Sequence, residues 1–335
     1  MRQSLRGRGL RLGGLGAGLL ALGACLAFSL WAGTAKVPPE EIYRAFAAFD
    51  GSTEHLIVRT VRLPRSLTAI LVGSALAIAG AIMQGITRNP LASPGILGVN
   101  AGAAFAVVVA TFALGISSLQ AYAVFAFAGA GLTAVSVYLL GSMAPGGLTP
   151  LNLTLAGAVL AAFLGSVTSG LLIVSQQTLD TIRFWMAGSL AGRDLALVEQ
   201  ALPYLAVGLG VALVLGRHIT ALSLGEEVAQ GLGQRTTGIK LAAAASVMLL
   251  AGSSVALAGQ IGFVGLVVPH IVRAIAGVDY RWLLPYAGLF GAILLLVADA
   301  STRVAFPEQE LPVGLVTPLI GGPMLIYLIR TKVRR

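Results

Sequence analysis

The chain has 335 residues, of which 57% are hydrophobic and only 10% are charged. Soluble domains carry roughly 25% charged residues, so the composition excludes an ordinary soluble protein. It predicts an all-α polytopic membrane protein with one transmembrane domain over residues 1–335, and the net charge of +9 has to be interpreted by position.

A basic N terminus, residues 1–11, precedes the first apolar run at 12–33. The tetrapeptide 22–25, which ends at the single cysteine Cys25, loosely resembles a lipoprotein cleavage box, so a cleaved signal peptide is the alternative interpretation. The run continues to Trp31 and is longer than the roughly 7–15 apolar residues of a signal peptide. This length favours a retained first span.

Residues 34–65 are predicted to form the first large polar loop, on the outer side. The loop ends in three arginines at a spacing of three: Arg59, Arg62 and Arg65. Proline is tolerated in the first turn of a helix, so Pro64 is expected to mark a helix start that carries cationic side chains. Residues 66–86 carry no charge, and at ~1.5 Å per residue they span about the ~30 Å of bilayer hydrocarbon.

Helix-breaking residues are expected to end this second span and to restart the chain in a third. They are Asn89, Pro90 and Pro94. Eight further apolar runs bring the predicted transmembrane helices to about ten; they are 95–115, 120–140, 152–175, 196–216, 239–258, 261–277, 283–298 and 313–329. Pro269, in the eighth span, is expected to be a further helix break.

Ten spans place both termini on the same side of the membrane, and the charges indicate which side. With cytoplasmic termini, the inner segments hold 14 basic and three acidic residues, and the outer segments hold eight basic and ten acidic residues. Cytoplasmic loops carry an excess of Lys and Arg, so both termini are predicted to be cytoplasmic, and nucleic acid is not implied as a partner. Arg62 and Arg65 then lie on the disfavoured outer side, where anchoring to lipid headgroups is the simplest explanation.

No catalytic set is evident, and neither a cofactor nor a metal site is expected. The three histidines lie on different segments without metal-ligand spacing, and no lysine follows a Walker A glycine loop. Four aspartates are all expected at span ends: Asp180, Asp194, Asp279 and Asp299. Carriers coupled to ions usually hold an ionisable group within a span, so an ion-coupled secondary transporter is disfavoured but stays open. A membrane-anchor subunit of a respiratory enzyme is a second alternative, although only His270 lies near a span.

The inner loop, 217–238, contains a short amphipathic segment. Gly225 is expected to start a helix with Glu226 and Glu227 in its first turn, where the helix dipole favours acids. Gly231 and Gly233 are expected to end it. Such a helix either docks into a groove on a partner or connects two spans along the membrane surface.

Four blocks, in this order, resemble the FecCD family of permeases. They are RLPRSLTAILVGSALAIAGAIMQGITRNPLASPGILGVNAGA (62–103), LSLGEEVAQGLG (222–233), GQIGFVGLVVPHIVRAIAGVDYRWLLP (259–285) and ELPVGLVTPLIGGPMLIYLI (310–329). Members of this family are the membrane subunits of ABC importers for ferric siderophores, haem and vitamin B12. The likeness extends from about residue 37 to 330.

The resemblance implies a permease of the inner membrane that pairs with a second copy or with a homologous permease. It also implies two ATP-binding subunits on the cytoplasmic side and a substrate-binding protein outside, with lipid around the helices. Arg62, Arg65 and Arg303 match positions whose arginines face acidic residues of the binding protein. The segment that matches the ATPase-coupling helix comprises Leu224, Gly225, Glu226, Glu227, Val228, Ala229, Gly231 and Leu232.

The prediction of the cargo rests on sequence resemblance alone. The segments NPLASPGILGVNAGA and TIRFWMAGSLAGRD resemble the siderophore members more than the vitamin B12 members. A ferric siderophore is therefore the expected cargo, with haem or vitamin B12 as the alternative. The chain itself needs no iron ligand, because the siderophore holds the metal.

Overall fold

The computed structural model describes residues 7–145, 147 and 149–333, and their regular structure is helical. The α-helices are α1 (Arg8–Trp31), α2 (Pro39–Ala47), α3 (Thr53–Leu56), α4 (Leu63–Thr87), α5 (Val99–Leu114), α6 (Leu119–Met143), α7 (Pro150–Val174), α8 (Gln176–Met186), α9 (Leu195–Leu224), α10 (Glu226–Gly231), α11 (Thr236–Ala258), α12 (Val264–Ala276), α13 (Tyr280–Ala305) and α14 (Val313–Val333). A π-helical turn (Ile57–Arg62) joins α3 to α4, and a 3-10 turn (Pro94–Leu97) precedes α5.

Seven helices in the described part of the chain are long and apolar enough to cross a membrane. They are α1, the continuous helix Thr53–Thr87, α6, α7, α9, α11 and α13. Three shorter apolar helices are α5, α12 and the segment Val313–Ile326 of α14. The all-α membrane fold predicted from the sequence is therefore confirmed, and the long and short apolar helices coincide with the predicted apolar runs.

Helix α4 lies at the centre of the bundle, where it packs against α9, α11, α12 and α13. Its apolar segment is 78% buried, whereas that of α1 is 6% buried. Helix α1 packs on the outside of α13, and α7 packs against α5 and α6 at the periphery. Glycine and alanine line the contacts of α4, because small residues let two helix backbones approach closely in the absence of water.

Two predicted loops are shorter than expected. The prediction of a loop over residues 34–65 is wrong, because these residues hold α2, α3 and the π-helical turn. Arg62 therefore already lies on helical backbone. The inner loop 217–238 is wrong in length, because α9 continues to Leu224. Thr220 Oγ1 donates to the carbonyl of Gly216, and Ser223 Oγ to that of Thr220, so these polar side chains are satisfied on the helix itself.

Two expectations about single residues are also corrected. The break expected at Pro269 is wrong: this proline lies inside α12, and the non-helical stretch precedes it at 259–263. Asp299 is not at a span end. Helix α13 continues to Ala305, and the Asp299 side chain is 0% exposed, so a buried carboxylate does lie within an apolar helix.

Candidate functional site

Helices α4 and α13 run antiparallel, and this pairing defines the two functional ends of the bundle. At one end, Arg65 in the first turn of α4 contacts Asp299 near the C terminus of α13. At the other end, Tyr280 begins α13 and donates its backbone N–H to Thr220 Oγ1 of α9 (3.0 Å), close to the segment that leads into α10. The residues predicted for binding-protein docking lie at the first end, and those predicted for ATPase coupling lie at the second.

The first end holds a set of charged residues that we call the outer arginine cluster: Arg62, Arg65, Arg303, Asp299 and Glu310. Asp299 lies at its centre. It accepts from Arg65 Nε at 3.0 Å and lies 3.2 Å from Arg303 Nη2. Because Asp299 is fully buried, its charge is balanced inside the protein by these two cations. The sequence analysis brought the three arginines together but missed the carboxylate that organises them.

Arg62 closes the C-terminal end of α1. Its Nη1 donates to the carbonyls of Leu30 (2.6 Å) and Trp31 (2.8 Å), and its Nη2 donates to the carbonyl of Ala35. The last carbonyls of a helix have no partner within the helix, so Arg62 satisfies groups that would otherwise be orphaned. Its side chain is buried, and both terminal nitrogens are bonded to these carbonyls.

Arg303 also fastens α1 to the bundle. Its Nη1 donates to the carbonyl of Ser29 (3.0 Å), and its Nη2 donates to Ser29 Oγ (2.7 Å). Ser29 Oγ in turn lies 2.8 Å from Ser66 Oγ in α4. The predicted docking arginines thus tie α1, α4 and α13 together, and Arg65 also pairs with Glu310 (3.4 Å) of the exposed loop between α13 and α14.

A further buried arginine, Arg193, was not singled out from the sequence. It lies between α8 and α9, where its Nη2 donates to the carbonyl of Ser189 (2.9 Å) and its Nε has no hydrogen-bond partner. Burial, reinforced by the charge of Arg65, lowers the pKa of Arg193 to about 10. Among the described residues, the first end therefore carries more buried positive than buried negative charge. The only sequence signal for Arg193 was its place beside the helix-capping Asp194.

The second end presents the short helix predicted in the inner loop. Helix α10 spans Glu226–Gly231, after Gly225 with φ +135°. Leu224, Val228 and Leu232 are exposed at intervals of four residues, and Ala229 packs inward against α9. The predicted helix start at Gly225 is confirmed. Val228 lies in α10, and Leu224 and Leu232 flank this helix; we call these three exposed side chains the apolar stripe.

An ion pair fixes the orientation of α10. Both carboxylate oxygens of Glu226 accept from Lys240 Nζ at 2.7 Å. This hydrogen bond lowers the pKa of Glu226, and the charge of Arg88 lowers it further. Arg88 ends α4 in the left-handed conformation (φ 51°), so the end of the central helix lies beside α10.

The predicted helix breaks divide into two groups. Asn89 and Pro90 lie in the break that follows α4, as expected, and Pro94 begins the 3-10 turn that precedes α5. Pro269 instead belongs to a buried polar contact that the sequence did not reveal. Since proline has no N–H, the carbonyl of Gly265 lacks its helical donor, and Gln84 Nε2 of α4 donates to it at 3.2 Å.

Comparison with known proteins gives a consistent result. The family model of the FecCD transport family matches residues 20–331. The chain is 49% identical over 290 residues to the probable siderophore transport system permease protein YfiZ of Bacillus subtilis, covering 87% of each chain. It is 44% identical over 306 residues to the Fe(3+)-citrate import system permease protein YfmD of the same organism, covering 91% and 90%. A solved ABC transporter of the metal-chelate type, in an inward-facing conformation, superposes with a TM-score of 0.83 at 30% identity, covering 95% and 98%.

Proposed function

This chain belongs to the FecCD transport family, and from that membership we propose that it is the permease subunit of an ABC importer for a ferric siderophore. The permease lies in the cytoplasmic membrane, and separate subunits hydrolyse ATP. The observation that carries the proposal is the family match over residues 20–331 in a chain whose two ends differ: one is a buried charged cluster, and the other is an exposed apolar helix.

The proposed topology has ten membrane-crossing helices and cytoplasmic termini, in one domain over residues 1–335. The seven long apolar helices and the three shorter ones supply ten candidates. Helix α5 follows the 3-10 turn Pro94–Leu97, and α12 follows the non-helical residues 259–263; irregular backbone at membrane depth is tolerated where protein buries it. The excess of basic residues on the proposed inner side supports this orientation.

On the cytoplasmic side, we propose that α10 is the contact for the ATP-binding subunit. Val228 of α10 and the flanking Leu224 and Leu232 are exposed apolar side chains that a groove on a partner can bury. The Glu226–Lys240 ion pair links α10 to α11. Two ATP-binding subunits, one on each permease of a pair, would move two such helices when they bind and hydrolyse ATP.

On the outer side, we propose that the binding protein docks over the outer arginine cluster. Positive charge at this end attracts an acidic partner and orients it. Arg62 and Arg303 act mainly by holding the platform together, since their nitrogens bond to α1. Arg65 is the member that can offer a nitrogen to the partner.

Transport then follows alternating access. Closure of the ATP-binding subunits moves α10, and the passage between two permease subunits opens toward one side of the membrane at a time. The breaks at Asn89, Pro90 and Pro94 and the proline-containing α12 with Pro269 are the proposed places where helices adjust along that passage. No covalent step occurs in this chain.

Affinity purification of the tagged chain from its native membrane in mild detergent, followed by mass spectrometry, tests the importer proposal. We expect a stoichiometric partner with a Walker A motif. Its absence in several detergents with nucleotide present would favour the ion-coupled alternative. Uptake of iron-55 siderophores, haem and cobalamin into cells that lack and regain the gene then decides between the three cargo classes.

A further inference from the structure

The guanidinium group of Arg65 has two different acidic neighbours. On the inner side, its Nε and Nη2 lie 3.0 Å and 2.9 Å from Asp299 Oδ1. On the outer side, its Nη1 lies 3.4 Å from Glu310 Oε1. The Asp299 side chain is 0% exposed, whereas that of Glu310 is 74% exposed. One carboxylate is thus a fixed internal partner, and the other approaches from solvent.

The outer contact lies in a small cavity of about 170 Å³. Its walls include Arg62, Arg65, Arg303, Glu308 and Glu310. The terminal nitrogens of Arg62 bond to carbonyls at the end of α1 and just beyond it, and those of Arg303 bond to Ser29 and lie beside Asp299. Arg65 Nη1 is therefore the nitrogen that faces a carboxylate arriving from outside. A cavity of this volume admits a carboxylate group.

The buried charges at this end of the bundle do not balance inside the protein. Arg62, Arg65 and Arg193 are all at least 93% buried, and among the described residues Asp299 is the one carboxylate buried to that degree. A buried cation without a partner is costly, so the cluster favours an additional anion on its outer side. In the free chain, Glu310 supplies part of that charge from the loop.

We propose that Glu310 occupies on Arg65 the position that a carboxylate of the binding protein takes when it docks. Glu310 is an internal competitor, and Asp299 is the positioning residue that holds the Arg65 fork so that Nη1 faces outward. This proposal rests on the proposed function, because it requires a binding protein that docks at this end. It adds to that function an exchange at Arg65 Nη1, in which a carboxylate of the binding protein replaces Glu310.

The structure explains why Glu310 can leave and Asp299 cannot. Glu310 makes a single long contact from the connection between α13 and α14, where residues 306–310 are all exposed. Ion pairs exposed to solvent contribute little, since water replaces the lost contact. Asp299 makes short contacts to two arginines, and its side chain is not accessible to water. Docking therefore displaces Glu310 and leaves the inner pair intact.

The test measures the affinity of the binding protein that copurifies with the importer for the whole importer in lipid nanodiscs. We expect Glu310→Gln to tighten binding about two- to fivefold, the size expected for removal of a mostly exposed competing ion pair. The matched control is Glu308→Gln, which removes the same charge from the same cavity wall. Glu308 makes no ion pair within the described part of the chain, so we expect a change of less than about twofold.

A second background separates the contact from general electrostatics. Arg65→Lys keeps a cation for Asp299 but has no second nitrogen that could bind an outer carboxylate. In that background we therefore expect Glu310→Gln to give no increase in affinity for the binding protein. Equal effects of Glu310→Gln and Glu308→Gln, or a gain that persists in the Arg65→Lys background, would overturn the exchange. Failure of the unaltered importer to bind any binding protein would instead refute the proposed function.

Discussion

Gly73 of α4 and Gly291 of α13 lie directly against each other. A Cβ atom added to either glycine would overlap the carbonyl oxygen of the other. The two backbones therefore touch at the centre of the most extensive helix contact in the bundle. Because this contact joins the helix that carries Arg65 to the helix that carries Asp299, it also sets the spacing of the outer arginine cluster.

Gly73→Ala is expected to destabilise the protein by about 1–3 kcal/mol, because an added methyl group has no space and forces the backbones apart. The melting temperature in detergent measures this effect. Gly210→Ala on the exposed side of α9 is the control, since nothing lies within 4 Å of the added carbon. There we expect no loss, and a gain of up to about 1 kcal/mol from helix propensity. Equal melting temperatures for the two variants would contradict the close contact.

Much of the helix pattern could be predicted from the sequence, since long apolar runs and proline or glycine punctuation report directly on helices in lipid. The break at Asn89 and Pro90 and the start of α10 after Gly225 are examples. The predicted C-terminal ends of α9 and α13 lie several residues before the observed ones, because polar residues there suggested loops. Thr220 and Ser223 bond back to their own helix. Asp299 pairs with Arg303 four residues later on α13, but it also pairs with Arg65 of α4, which a local pattern does not show.

The arginines of the candidate site could be predicted from the sequence, but the residues that they contact could not. Arg65 and Asp299 are 234 positions apart, so only the antiparallel packing of α4 and α13 brings them together. The same holds for Gln84, a single polar letter in an apolar run, which the structure pairs with a carbonyl freed by a proline on another helix. Long-range polar pairing leaves no periodic trace in a sequence.

Gln84→Leu is expected to lower the free energy of unfolding by about 1–3 kcal/mol, the usual result of leaving buried polar groups without a partner. The substitution removes the donor to Gly265 and also the acceptor of Arg273 Nη1, which is 2.6 Å away. Thermal unfolding in detergent measures the loss. The matched control is Gln177→Leu on the exposed surface of α8, for which we expect a change within about 0.5 kcal/mol.

Glu226→Gln is expected to destabilise α10 only slightly, by at most about 1 kcal/mol, because the ion pair with Lys240 is 41% exposed on the glutamate side. The folded-state pKa of Glu226 is lowered from 4.5, so this contribution is present above pH 4.5 and is lost as the pH falls further. Melting temperatures of the two proteins should therefore differ at pH 7 and converge below pH 4.5. Glu227→Gln, at an exposed neighbour without an ion pair among the described residues, should match the unaltered protein throughout.

The double variant Leu224→Ser with Val228→Ser is expected to uncouple the importer while leaving the permease folded. Both side chains are exposed, at 66% and 47%, so their loss costs little in the free chain. In a complex, apolar anchors at the centre of an interface often cost more than 1 kcal/mol each when truncated. Cargo-stimulated ATP hydrolysis should therefore fall by tenfold or more, with less ATP-binding subunit recovered on purification.

Val278→Ser is the matched control, because it removes an equally exposed valine (66%) from the loop between α12 and α13, outside the stripe. Normal coupling in the double variant, or an equal loss with Val278→Ser, would show that the stripe on α10 is not the specific contact.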